Sequence, residues 1–208
     1  MREIGTDDEQ LDALRAWWAE NGRSVIVGVG LAVAGLVAWT GYGEWREHTL
    51  NSASLAWQEL EVAADQGDQS AIDKASGLAE RYGSTPYADL ARLTEATLRY
   101  RADGAESAIA TLSDLASDAR QKPLRDLARL RLARFHWQAG NPGEALDVLD
   151  TPMATAFETQ REELRGDILR AQGDYDGAKA AYDRALAAAG ASADVSLLRL
   201  KRDDLPAG

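Results

Sequence analysis

Residues 24–43, SVIVGVGLAVAGLVAWTGYG, form a run of twenty residues without a charged side chain. In the whole chain 27% of the residues are Asp, Glu, Lys or Arg, so the run stands apart from its surroundings. A helix of this length rises about 30 Å, which matches the hydrocarbon thickness of a bilayer. A core helix of a soluble domain rarely needs such a length without a polar face. The run therefore predicts a transmembrane helix.

Aromatic residues lie at both ends of the run. Trp17 and Trp18 precede it, and Trp39, Tyr42 and Trp45 lie at its far end. Trp and Tyr side chains favour the headgroup zone on either side of a bilayer. This placement favours a membrane-spanning helix over a buried core helix.

A secretion signal is the remaining alternative, because Ala32-Val33-Ala34 before Gly35 has the small-x-small form of a cleavage site. Cleavage there would leave a short apolar core interrupted by glycines. The apolar run also continues through Val37 to aromatic residues that a signal peptide does not need. We therefore expect an uncleaved anchor.

Small residues recur within the run at a spacing of four, on what we expect to be neighbouring faces of the helix. Gly28 pairs with Ala32, Gly30 pairs with Ala34, and Gly35 follows. Small side chains let two helix backbones approach closely in a bilayer. Either the segment is a plain anchor rich in Gly and Ala, or these five residues contact a partner helix in the membrane.

Positive charge is distributed unequally around the run. Arg2, Arg15 and Arg23 precede it, whereas Arg46 is the one Lys or Arg after it before Lys74. Because Lys and Arg are retained on the cytoplasmic side, we expect the N-terminus in the cytoplasm. The expected segments are a cytoplasmic tail (1–23), a transmembrane helix (24–43) and a domain (44–208) that is periplasmic in a Gram-negative cell, so the chain is a single-pass inner-membrane protein.

Beyond residue 44 the chain reads as helical, since helix-favouring residues dominate and breaks fall at Gly, Pro and Asn. Turns are centred on Gly67, Asp103, Gly140 and Gly173, at intervals of 36, 37 and 33 residues. Such a period in a helical chain is typical of helix hairpins stacked into a solenoid. We therefore predict an all-α fold, with one transmembrane helix followed by an α-solenoid, capped by a last helix near residues 193–202.

The segment 164–190, LRGDILRAQGDYDGAKAAYDRALAAAG, resembles the tetratricopeptide repeat. Its spacing places small residues where two antiparallel helices touch, and an aromatic residue between them: Gly166, Ala178, Ala185 and Tyr182. Gly173 ends the first helix in a conformation that a Cβ atom would penalise. The copy is degenerate, because Glu162 stands where the repeat usually has Trp.

The predicted helix 124–139 has apolar residues on two sides. We assign Leu127, Leu130 and Trp137 to one side and Ala128, Leu132 and Phe135 to the other. A helix that packs between two neighbours needs this pattern, as in the interior of a solenoid.

Composition and motifs exclude several classes of function. The net charge is −11 with no dense basic cluster, so we expect no nucleic-acid partner. The chain has no Cys and two His, and it lacks a phosphate loop or a nucleophile motif. Asp174 and Asp176 suggest a metal loop, but the repeat turn explains them better. We expect no enzyme, no cofactor, no metal and no small-molecule substrate, although a membrane-tethered enzyme is one alternative.

Solenoids of this type bind partners on the concave surface lined by the first helix of each hairpin. By repeat register, five side chains should point into that groove: Tyr100, Arg134, Trp137, Asp167 and Arg170. We expect this groove to bind protein.

The whole chain resembles the YfgM family. The resemblance rests on the acidic tail, the entry LDALRAWWAENGRSVIVGVG, the following EWREH and SASLAWQEL, and the degenerate tetratricopeptide-like hairpins. It implies a scaffold associated with the SecYEG translocon and with a membrane-anchored periplasmic chaperone of the PpiD type, assisting proteins that emerge into the periplasm. A repeat scaffold for cytochrome c maturation or outer-membrane protein insertion is the alternative.

Overall fold

The computed structural model describes residues 6–190 and 193–206; Arg2, one of the charges used for the orientation, lies outside them. In these ranges the regular structure is helical, which confirms the all-α prediction. The helices are α1 (Thr6–Asp65), α2 (Ala71–Arg81), α3 (Pro86–Asp103), α4 (Ala105–Asp118), α5 (Lys122–Gln138), α6 (Pro142–Asp150), α7 (Glu158–Ala171), α8 (Tyr175–Ala188) and α9 (Ser196–Asp203), with a short 3-10 turn at Thr155–Phe157. The chain divides into two compact units, Met1–Asn51 and Ser52–Gly208.

The first unit contains the apolar run, which lies entirely within α1. Among the described helices, α1 is the one long and apolar enough to cross a membrane, and none of its most apolar stretch is buried. Leu31, Leu36 and Trp39 are 69%, 64% and 78% exposed. A core helix would be covered, so the buried-core alternative is wrong and the anchor prediction fits.

Thr40 is the polar residue nearest the centre of this apolar surface. Its Oγ1 donates to the carbonyl oxygens of Leu36 and Val37, each at 3.1 Å. A hydroxyl satisfied by its own helix needs no water, so it is tolerated in a bilayer.

The second unit begins with the last residues of α1 and continues as helix hairpins. At the turn after each first helix lies a glycine with left-handed backbone: Gly67 (φ 67°), Gly104 (φ 88°), Gly140 (φ 85°) and Gly173 (φ 83°). Residues with a Cβ rarely adopt this conformation, which explains why the hairpins turn where the sequence has Gly. The predicted turns are therefore found, with Gly104 rather than Asp103 in the left-handed position.

Helix α5 packs between two cores. Ala128, Leu132 and Phe135 lie in a core with α3 and α4, while Leu130 and Trp137 pack against a core with α6 and α7. The two-sided prediction is confirmed for these residues.

The assignment of Leu127 is wrong, because it packs against the core that holds Ala128. At about 100° per residue, Leu127 lies on the strip between the two apolar sides of α5, together with Arg131 and Arg134. Sequence spacing alone does not decide which core a residue on this border joins.

Helices α7 and α8 approach closely at Gly166. A Cβ atom placed there would lie 2.5 Å from Cε1 of Tyr182. Tyr182 is fully buried, as are Ala178 and Ala185. The tetratricopeptide-like packing expected for this hairpin is confirmed.

Buried aspartates recur near the start of the first helices. Asp89 of α3 is 4% exposed and Asp126 of α5 is 0% exposed. Asp89 accepts from the backbone N–H of Arg120 at 2.9 Å, and Asp126 accepts from that of Ala154 at 2.9 Å. Both donors follow the second helix of the same hairpin, so each aspartate holds the exit of the hairpin that its helix begins.

Glu162 of α7, where the repeat usually has Trp, is also buried, with 2% exposure. Its Oε2 lies 2.7 Å from Nε of Arg184 in α8, and its Oε1 lies 3.2 Å from Nη2 of Arg161. An ion pair thus joins α7 to α8 at the position where an aromatic side chain usually does.

Helix α9 closes the described part of the solenoid on α8. Leu198 is 5% exposed, and with Leu205 it packs against Tyr182 and its neighbours. The outer residues Leu197 and Leu200 are each 63% exposed. The expected capping helix is present, although it spans Ser196–Asp203.

Candidate functional site

The first helices of the second unit line a groove. Helix α3 contacts α5, and α5 contacts α7. Three neighbouring cavities lie along these helices. The first cavity, of about 780 Å³, lies between the end of α1 and α3. The central cavity, of about 510 Å³, lies between α3, α5 and α7, and the last cavity, of about 390 Å³, lies between α5, α7 and α9. Shared residues connect them, since Arg131 lines the first and central cavities and Arg134 the central and last.

The structure brings four of the five predicted groove residues to these cavities. Tyr100 and Arg134 line the central cavity. Arg134, Trp137 and Asp167 line the last cavity. Arg170 is exposed on the last turn of α7, lines none of the three, and interacts with Tyr182.

The walls of the central cavity are largely apolar. Tyr100 stacks on Phe135, with ring centroids 4.5 Å apart and an interplanar angle of 11°. Leu127, Leu130 and Leu164 complete the apolar surface. Stacked rings in a half-open cavity provide a rigid apolar surface for a ligand side chain.

Three arginines surround this apolar surface: Arg101, Arg131 and Arg134. Arg131 donates from Nη1 to Oγ1 of Thr97 at 3.0 Å. Burial lowers the pKa of its guanidinium, although an arginine stays charged at any physiological pH. Among the described residues, no carboxylate lies within ion-pair distance of any of these three side chains.

At the last cavity, by contrast, both carboxylates are paired with a lysine. Nζ of Lys201 donates to Asp167 and to Glu163, each at 2.8 Å. Burial alone would lower the pKa of Lys201, but the hydrogen bonds to the two carboxylates outweigh it, and the pKa is raised. Asp167 also accepts from the Tyr182 hydroxyl at 2.8 Å, and burial together with this bond raises the pKa of Tyr182.

Asp167 therefore joins α7, α8 and α9, and each of its two carboxylate oxygens already accepts a hydrogen bond. It borders the groove, but a ligand would have to compete with Lys201 and Tyr182 for it.

Sequence reasoning missed Arg101 and Arg131. The repeat register carries a signal that could have found Arg131: Leu90 and Leu127, as well as Thr94 and Arg131, are 37 residues apart, and all four line the groove. The same register relates Arg101, in the last turn of α3, to Gln138, which lines the last cavity.

The five small residues of the membrane segment lie on opposite sides of α1, not on neighbouring faces. At about 100° per residue, Gly28, Ala32 and Gly35 share one side, and Gly30 and Ala34 share the other. All five are exposed, and a Cβ atom at Gly28, Gly30 or Gly35 would meet no neighbour. A single partner helix would contact one set or the other.

Asp174, considered as part of a metal loop, has a local role. It precedes α8 and accepts from the backbone N–H of Gly177 at 2.9 Å, as an N-cap residue does. Within residues 6–190 and 193–206, no three His, Cys, Asp or Glu side chains are grouped in a way that could hold a metal ion.

Comparison with known proteins gives consistent matches. The family described as "Tetratricopeptide repeat-like domain" matches residues 15–207. The "Ancillary SecYEG translocon subunit" of Escherichia coli (strain K12) is 30% identical over 190 residues, covering 91% of this chain and 89% of that protein. No solved structure matches the chain.

Proteins with the same name from two other bacteria are also similar. That of Haemophilus influenzae is 25% identical over 96% of this chain and 97% of its own length. That of Aggregatibacter actinomycetemcomitans is 25% identical over 89% of this chain and 91% of its own length. The matches thus include the apolar helix as well as the repeats, and the chain belongs to the YfgM family of ancillary SecYEG translocon subunits.

Proposed function

We propose that this chain is a single-pass inner-membrane scaffold of the Sec translocon. Its N-terminus lies in the cytoplasm and its repeat domain in the periplasm. There the domain links the translocon to a membrane-anchored chaperone of the PpiD type and assists proteins that emerge into the periplasm. The observation that carries the proposal is the match to relatives named as translocon subunits along nearly their whole length.

The anchor supports the placement in a membrane. Its apolar side chains are uncovered, and it carries small residues on two sides, of which the side with Gly28, Ala32 and Gly35 has three. Because small residues allow close backbone contact, we propose that this side meets a translocon helix. The excess of arginine before the run supports the orientation.

The second unit supports a binding role without catalysis. Its groove combines stacked rings, leucines and arginines, which suit a polypeptide segment. The carboxylates beside the groove, Glu163 and Asp167, are held by Lys201 and do not form a pair free for acid-base work. We propose Tyr100, Arg134 and Trp137 as groove residues that contact a protein partner, with Asp167 and Arg170 at its edge.

Photocrosslinking in native membranes tests the association. A photoreactive amino acid is placed at Ala32 in one version of the full chain and at Ala34 in another, because the two residues lie on opposite sides of α1. We expect the probe at Ala32 to form adducts with translocon subunits and the probe at Ala34 to form fewer. Adducts of both probes with haem-ligation or outer-membrane insertion machinery alone would refute the proposal.

Protease treatment of intact spheroplasts tests the orientation. We expect digestion of the repeat domain from outside while the N-terminal tail stays protected. A repeat domain that is cut only after the membrane is broken would place it in the cytoplasm and contradict the proposed orientation.

A further inference from the structure

We propose that the central cavity binds an acidic, apolar peptide segment of a partner protein, with a carboxylate of the segment between Arg101, Arg131 and Arg134. This inference deepens the proposed scaffold function and rests on it, because it names the chemistry of the partner segment.

The first observation behind this proposal is how the arginines are paired with carboxylates. The chain has 34 acidic and 23 Lys or Arg residues, so arginines have many potential partners within it. Elsewhere in the described part of the chain, arginines use them: Arg92 pairs with Asp118, Arg129 with Asp126 and Arg184 with Glu162. Other arginines, such as Arg81 and Arg199, are also outside ion-pair distance of a described carboxylate, but they line none of the three cavities. Arg101, Arg131 and Arg134 differ because they line one cavity together, where an anionic ligand could pair with them.

The position of Arg131 makes the lack of a carboxylate partner energetically significant. Its side chain is half-buried, and it donates a hydrogen bond to the neutral hydroxyl of Thr97. A half-buried guanidinium interacts more strongly with a carboxylate than an exposed one does, because less water screens the pair. Arg134 lies one turn further along α5 on the same strip, so the two can hold one carboxylate together.

The apolar walls define the rest of the ligand. Tyr100, Phe135, Leu127 and Leu130 lie beside the arginines. An inorganic anion would leave this surface uncovered, whereas Leu or Phe side chains flanking a carboxylate would fill it. The ligand therefore combines negative charge with apolar side chains.

The ends of the groove distinguish a peptide from an anionic bilayer. Arg101 and Arg131 also line the first cavity, and Arg134 also lines the last. Beyond these three arginines, the first cavity is lined by Glu61 and Asp65, and the last by Glu163, Asp167 and Lys201. An extended anionic surface would be repelled at both ends. A peptide segment with its carboxylate near the middle matches this order of charges.

Fluorescence anisotropy with the full chain in phosphatidylcholine nanodiscs tests the proposal. The probe is a fluorescein-labelled peptide of Leu, Phe, Ser and Glu, and its twin has Gln in place of every Glu. The test variant is Arg131→Gln with Arg134→Gln, which removes both charges and keeps a polar side chain with N–H donors at each position. The control is Arg81→Gln, since Arg81 is exposed on α2 and lines none of the three cavities.

We expect the Glu peptide to bind at least about tenfold more tightly than its Gln twin, because a charge-assisted hydrogen bond accounts for a difference in affinity of this size. The double variant should abolish this preference, added salt should weaken it, and Arg81→Gln should retain it. Arg134→Gln alone, with an exposed and unpaired side chain, provides the same comparison if the double variant loses helicity. Equal affinity of the two peptides for the wild-type chain would overturn the proposal.

A lipid ligand gives a different result. If nanodiscs containing phosphatidylglycerol abolish peptide binding through Arg131 and Arg134, the arginines bind lipid headgroups and the peptide proposal is wrong. The crosslinks from Ala32 report on the translocon independently of the groove. Crosslinks without peptide preference would therefore refute this inference alone, whereas the loss of the crosslinks would refute the proposed function.

Discussion

Replacing Asp126 by Ala tests whether a buried carboxylate holds the α5–α6 hairpin together. Asp126 is 0% exposed and accepts two hydrogen bonds, from Nη1 of Arg129 at 3.0 Å and from the backbone N–H of Ala154 at 2.9 Å. The substitution removes both acceptors and leaves the Arg129 guanidinium, 20% exposed, without its carboxylate.

The magnitude follows from these contacts. Each hydrogen bond to a charged group contributes about 1.5–3 kcal/mol, and removal of the carboxylate relieves part of the cost of burying it. Breaking a buried pair by removing one partner costs about 3–5 kcal/mol in total. For a domain of this size, each kcal/mol lowers the melting temperature by about 2–4 °C, so we expect a decrease of about 6–20 °C.

Thermal unfolding of the full chain in detergent, followed by far-UV circular dichroism, measures this decrease. The control is Asp147→Ala, because Asp147 lies exposed on α6, where a substitution changes the free energy of unfolding by less than about 0.5 kcal/mol. Asp126→Asn should be intermediate, since the amide keeps one acceptor oxygen. If the melting temperatures of Asp126→Ala and Asp147→Ala agree within about 2 °C, the reasoning is refuted.

Two further substitutions should change the free energy of unfolding in opposite directions, and the pKa shifts predict how stability depends on pH. Gly166→Ala should destabilise the domain by about 1–3 kcal/mol in a urea titration, because its Cβ would lie 2.5 Å from Tyr182. Gly77→Ala, in open space on α2, should leave the stability unchanged or raise it in the same titration. Tyr182 and Lys201 both have raised pKa values and bind their protons more tightly when folded, so the stability they contribute is present below about pH 10 and lost as the pH rises above it. Tyr182→Phe should be less stable than wild type at neutral pH, but it should lose less stability by about pH 11. If the free energy of unfolding of the two proteins falls in parallel with pH, the Tyr182–Asp167 hydrogen bond is not the cause of the pH dependence.

The sequence predicted the features that depend on neighbouring residues. Gly67, Gly140 and Gly173 lie at the turns because few other residues accept a left-handed backbone, and this preference is visible in the sequence itself. The contact between Gly166 and Tyr182 was predictable because the repeat fixes their spacing. The charge-free run predicted a long apolar helix for a similar reason, since length and hydropathy need no partner.

Features that depend on distant residues were not predicted. Asp126 looks like a surface residue in its helix, and its burial follows from Ala154, which lies 28 residues further along the chain. The environment of Arg131 likewise depends on Thr97, 34 residues earlier. Repeat register brought Tyr100, Arg134, Trp137 and Asp167 to the groove, but it could not show that Lys201 of α9 occupies Asp167.

Helix α5 packs on both of its apolar sides, and this has a consequence for how the protein can diverge during evolution. Substitutions on either side, such as at Leu132 or Ala133, disturb a core and are selected against through stability. Arg131 and Arg134, on the strip between these sides, line the groove and belong to neither core, so this constraint does not act on them. Binding preference can therefore change along one line of a helix whose other surfaces stay fixed, and related chains can acquire different partners while keeping the same scaffold.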